Sequence, residues 1–174
     1  MNDDPLQRFL CFGRRAEADS KMSEKAHLTV DSYLEELTVV QQWFRSVVSY
    51  FSMEAPWVND QYDKLNLALA EGFTNAVRHA HAGLPCTTPI TIELVLQADK
   101  IEIFIFDQGQ PFDPDSISEP KPGALREGGY GWFLLRRLAD QVTYSPIANQ
   151  STPSSLSTNS QWRNCLRIVK SCAS

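Results

Sequence analysis

Within the stretch ALAEGFTNAVRHAHAGLP, residues 68–85, Glu71, Asn75 and His79 stand four residues apart. On a helix that spacing lines three side chains along one face, drifting slowly around the axis. An asparagine oxygen suits Mg²⁺, a hard cation that keeps several waters and shares itself with substrate phosphates. A glutamate one turn earlier can take a proton from a water or hydroxyl nucleophile. The competing reading is a solvated polar face. Against it, the stretch carries the small residues Ala68, Ala70, Gly72, Ala76 and Ala80, which permit close approach of another group. Gly72 also sits mid-helix at a cost of ~1 kcal/mol relative to alanine.

Two further stretches carry chemistry. In FDQGQPFDP, 106–114, Asp107 ends an apolar strand and Gly109 follows. A carboxylate at such an exit can accept a hydrogen bond from a ligand amino group such as that of adenine, and glycine lets backbone and ligand approach. A plain Asp/Gly turn is the alternative. In EGGYGWFLLRRL, 127–138, glycines at 128, 129 and 131 run into an apolar helix. Free N–H groups and the positive end of a helix make an anion site there; a flexible hinge is the alternative. The P-loop pattern is absent, since no Gly-Lys-Ser/Thr follows, and no βαβ unit frames a Rossmann fingerprint. Together the three stretches supply a metal amide, a base, an adenine carboxylate and a phosphate cradle.

These residues need elements to hold them. A helix is expected from near Asp60 to about His81, with Gly83 and Pro85 as stop signals. Before it, Leu34, Leu37, Val40, Trp43, Phe44, Val47, Val48 and Phe51 recur at helical spacing, with Asp31 or Ser32 as N-cap. AHLTV at 26–30 reads as a short strand and APWVND as a loop. Ile90, Ile92, Leu94 and Leu96 alternate, as do Ile101, Ile103 and Ile105, which predicts an antiparallel hairpin of half-buried strands. Residues 107–131 hold four prolines and five glycines and read as a long irregular segment, with a lid over about 113–128. YGWFLLRRLADQ is a helix with Phe133, Leu134, Leu138 and Leu135 inward, and VTYSP and WRNCLRIV are strands. Between these two strands, residues 145–161 form a Ser/Thr/Asn-rich, low-complexity loop. The sum is an α+β two-layer sandwich: a mixed, mostly antiparallel sheet with helices on one face. Residues 1–26 are expected to be an arm and 27–174 a single domain.

Composition narrows the function classes. Of 174 residues, 43% are hydrophobic and 21% charged, as in ordinary globular proteins, and the net charge of −5 argues against a nucleic-acid binder. The four cysteines have no CxxC spacing. No secretory segment or long apolar run is present, so a cytoplasmic protein with reduced thiols and no membrane role is expected.

The three stretches resemble the N-box (ALAEGFTNAVRHAH), the G1 box (DQGQPFDP) and the G2 box (EGGYGWFLLRRLAD) of the Bergerat-type, or GHKL, ATPases. Size and wording are most similar to the anti-sigma-factor serine/threonine kinases of bacterial partner-switching modules. The resemblance implies the histidine-kinase-like ATPase fold, with ATP and Mg²⁺ as cofactors. It implies Glu71 as the base activating the substrate hydroxyl, and Asn75 as the Mg²⁺ ligand. Arg78 and His79 would lie near the phosphates, and Asp107 on the adenine amino group with Gly109 and Phe112 beside it. Gly129, Tyr130, Gly131 and Trp132 would wrap the phosphates. It further implies a homodimer that phosphorylates a STAS-type anti-anti-sigma partner and holds a sigma factor or other client. A regulatory docking module without phosphoryl transfer, or the detached ATPase domain of a sensor histidine kinase, are the alternatives. The chain departs from the family pattern in lacking a Gly-Thr turn before its last strand.

Overall fold

The computed structural model describes residues 23–111, 113–116, 130–147 and 162–172. Five strands form one sheet in the order β1-β2-β3-β5-β4. They are β1 (Glu24–Asp31), β2 (Pro89–Leu96), β3 (Lys100–Asp107), β4 (Gln141–Pro146) and β5 (Asn164–Ser171). Every pairing among them is antiparallel, so the sheet has no parallel member within the described residues. The expected hairpin is β2–β3, with Ile92 opposite Ile105 and Leu94 opposite Ile103. β1 begins at Glu24, so the first strand takes in the end of the stretch expected to be an arm.

The helices are α1 (Leu37–Phe51), α2 (Trp57–Asp60), α3 (Tyr62–Asn75) and α4 (Gly131–Leu138). Strand alternation points Ala26, Leu28, Val30, Ile90, Ile92, Leu94, Ile101, Ile103, Ile105, Leu166 and Ile168 to one core, where they meet buried residues of α1 and α3. From α1 come Val40, Trp43, Phe44, Val47, Val48 and Phe51, as the spacing predicts. Burying each such side chain stabilises by about 1.5–3 kcal/mol.

Five local readings change. Leu34 is exposed because it lies in a 3-10 turn, Leu34–Glu36, that precedes α1. Neither Asp31 nor Ser32 caps the helix; Asp31 pairs with Pro89, and Ser32 turns inward. APWVND contains the one-turn helix α2, which buries Val58. On α4 the buried residues are Trp132 and Leu135, with Phe133, Leu134 and Leu138 half-buried. β3 is also not half-buried. With neighbours on both sides it buries its second face too, where Phe104 and Phe106 join Val95 and Cys165.

α3 lies against the sheet at Gly72. A Cβ there would come within 2.7 Å of Ile105 Cδ1 and 2.9 Å of Leu166 Cδ2. The close approach that the small residues permit is, at this position, approach of the sheet. Gly72→Val should therefore lose about 1–3 kcal/mol in urea unfolding through overpacking, although valine is the better helix former. Unchanged or raised stability would remove this packing account.

Candidate functional site

α3 brings Glu71 and Asn75, both half-buried, to one edge of the sheet. Beyond Asn75 the helix changes pitch. Residues Ala76–Ala80 form a π-helical turn, and the His81 N–H donates to Ala76 O, five residues back, at 2.8 Å. Such turns are rare and recur at functional sites. The wider turn ends the regular stripe at Asn75: Arg78 and His79 are exposed, whereas His81 is 4% exposed. The chain then leaves through Gly83, whose φ of 83° fits the expected stop.

β3 delivers Asp107, 2% exposed, to the floor of the same edge. A carboxylate is stable at such depth only with donors around it, and the structure provides three. Gly109 N–H donates to Oδ1 at 2.9 Å, Asn164 Nδ2 donates to Oδ1 at 2.9 Å, and the Tyr144 hydroxyl donates to Oδ2 at 3.1 Å. Burial, reinforced by the Asp107 charge, pushes the Tyr144 phenol far up, so it remains protonated as a donor. Asn164 Nδ2 also donates to Gly109 O at 2.9 Å, and Gly109 itself abuts the Ala80 carbonyl so closely that any Cβ would collide. This turn is locked to β5 on one side and to the π turn on the other.

The N-terminus of α4 closes the site. A Cβ on Gly131 would stand 2.7 Å from Glu71 Oε2, 3.4 Å from Asn75 Oδ1 and 3.5 Å from Asn75 Nδ2, so the carboxylate and the amide face one spot at the start of α4. The first N–H groups of a helix have no partner within it. An acid and an amide therefore face the first N–H groups of α4. It suits a hard cation carried with phosphates, which needs few protein oxygens. Trp132, 5% exposed, is stacked under the Arg136 guanidinium, 5.3 Å from its ring centre, while Tyr130 is 47% exposed.

Asn75, Asp107, Trp132 and Tyr144 line one cavity of about 20 Å³, together with Gly72 and Ala80. That is room for about one water. A roomier cleft of about 370 Å³ lies beside Gly109, Gly83, Pro85 and Arg163, and no carboxylate among the described residues lines it.

The structure thus brings together Glu71, Asn75, Asp107, Gly109, Gly131 and Trp132. It leaves Arg78, His79 and Tyr130 at the exposed margin. Phe112, Gly129 and most of the expected lid lie outside the described residues, as does most of the loop 145–161.

A sequence profile for the histidine kinase-like ATPase domain matches residues 32–152, most of the chain. The chain belongs to the histidine kinase-like ATPase family. Serine-protein kinase RsbW of Halalkalibacterium halodurans is 33% identical over 127 residues, 68% of this chain and 74% of that protein. Serine-protein kinase RsbW of Staphylococcus aureus is 37% identical over 93 residues, 48% of this chain and 58% of that protein. The antiparallel sheet with helices on its core face agrees with this family's α+β fold. No described helix is long and apolar enough to cross a membrane.

The sequence alone does not point to Asn164, Tyr144 and His81 as parts of this cluster. Asn164 carried a signal: it is a polar residue opening an apolar strand, next to the place where the family's Gly-Thr turn is absent. Its side chain is fully buried, and losing it leaves Asp107 short of a donor. Asn164→Ala should lower stability by about 1–3 kcal/mol in urea unfolding; a loss within 0.5 kcal/mol, the size of ordinary surface substitutions, would show that Asp107 does not depend on it.

Proposed function

We propose that the chain is an ATP- and Mg²⁺-dependent serine/threonine protein kinase of the anti-sigma-factor type, acting in the cytoplasm as a homodimer. The observation that carries this reading is the convergence of Glu71 and Asn75 on the start of α4, along an edge whose floor is Asp107. Similarity to two serine-protein kinases supports it.

Each residue takes one task. Asp107 accepts a hydrogen bond from the adenine amino group. Asn75 would supply an oxygen to Mg²⁺, which would offset phosphate charge. The N–H groups at the start of α4, with Gly131 and Tyr130, face the phosphates, and Arg78 and His79 add positive character at the margin. Glu71 accepts the proton of a serine or threonine hydroxyl. The hydroxyl oxygen forms a bond to the γ-phosphorus as the bond from that phosphorus to the bridging oxygen breaks, and ADP leaves. The protein substrate is an anti-anti-sigma partner, and the held client is a sigma factor or another protein.

Incubation with labelled ATP, Mg²⁺ and candidate partner proteins tests the reading. Glu71→Ala should keep nucleotide affinity and lose transfer by about 10²–10⁴-fold, the usual contribution of a general base. Asn75→Ala should weaken binding of Mg-ATP itself. Tight binding by the wild type with no transfer to any partner would instead identify a regulatory docking module.

A further inference from the structure

We infer that His81 is a positioning residue for base selection: it fixes the peptide that follows Asp107 and so aims the carboxylate at the amino group of adenine. This rests on the reading above that Asp107 receives that amino group.

The argument begins with the hydrogen bonds of the ring. The backbone N–H of Gln108 donates to His81 Nε2 at 3.0 Å. That nitrogen therefore offers a lone pair, and in the neutral ring the proton resides on Nδ1. Nδ1 lies 3.1 Å from Ser32 Oγ and donates to it. Ser32 is itself anchored, its N–H donating to Cys86 O at 2.9 Å. The imidazole thus bridges the end of β1 and the first peptide beyond β3.

That peptide is the hinge of the adenine end. Asp107 is the last residue of β3, and the next N–H along, on Gly109, folds back onto its Oδ1. The turn can close in this way only while the intervening Gln108 peptide keeps its orientation. His81 supplies the one side-chain acceptor that the structure gives the Gln108 N–H. The same turn rests on the Ala80 main chain, the residue before His81. The π turn directs the ring inward, since it shifts residue 81 to a position that a regular α-helix would have placed elsewhere.

Protonation defeats this arrangement, because an Nε2 that bears a proton cannot accept the Gln108 N–H. Burial lowers the proton affinity of His81, and the Asp107 charge opposes burial without reversing it. Ser32 and the Gln108 amide, the other groups on the ring, are neutral. The bond is therefore intact at neutral pH and is lost as pH falls below the ordinary histidine value of about 6.5.

The test compares affinities for ATP and inosine triphosphate, whose base lacks the exocyclic amino group, in wild type, His81→Leu and His81→Gln across pH 5–8. Taking the ratio cancels titration of the phosphates, which both ligands share. The wild type should prefer ATP, and the preference should shrink at the acid end. His81→Leu should lower the preference about tenfold at pH 8, the order expected for one hydrogen bond to a charged group, with little change for inosine triphosphate. His81→Gln, which keeps an acceptor near the Nε2 position, should retain the preference and lose its pH dependence. A purely structural role would weaken both nucleotides alike and overturn the inference, as would an unaltered preference in His81→Leu. Should His81→Leu not fold, an identical pH trend in wild type and His81→Gln overturns it equally. A wild type with no preference for ATP at pH 8 would defeat the assignment of Asp107 and this inference with it.

Discussion

The arrangement turns on one buried charge. Asp107 ends the central strand at 2% exposure, and a carboxylate so placed is tolerated only if donors replace the water it gave up. Those donors come from separate parts of the chain: Gly109 from the turn after β3, Tyr144 from β4 and Asn164 from β5. Strand order and site are therefore one constraint. β5 must lie between β3 and β4 for Asn164 to reach Asp107, and β4 must lie outside it at a register that brings Tyr144 over the same carboxylate.

The second constraint is the proximity of α3 to the sheet. Gly72 sets the helix down on Ile105 and Leu166, and from that height Glu71 and Asn75 face the start of α4. The π turn then resets the helical phase, sending Arg78 and His79 outward and His81 inward. Glu71 and Asn75 on one side and the turn after β3 on the other are thereby served by a single helix of changing pitch.

Much of this was legible from residue types. Alternation of isoleucines predicts β2 and β3, and the spacing of Val40 through Phe51 predicts α1, because burial imposes those periods directly. Glu71, Asn75, Asp107 and Gly131 stood out because their types are costly or unusual where they occur. What was not legible depends on phase or on distant pairing. The stripe from Glu71 to His79 assumes 3.6 residues per turn, and no local pattern in AVRHA announces a π turn. Tyr144 lies in VTYSP with nothing to mark its hydroxyl, because its partner is 37 residues earlier. Phe104 and Phe106 occupy the polar phase of an alternating strand and acquire meaning only once β3 is central.

The insertion of β5 between β3 and β4 also sets an order of events during synthesis. Asn164 follows Asp107 by 57 residues. At roughly 5–20 residues per second, the nascent chain spends about 3–11 s with β3 complete on one side and open on the other. Through that interval its free edge offers unpaired backbone groups to any other strand nearby, and Asp107 lacks the donor that secures it. A strand made after both of its neighbours is thus the one that both seals the sheet and supplies Asp107 with a donor. A ribosome-bound chain stalled before residue 164 would present a scaffold in which Asp107 still lacks the Asn164 donor.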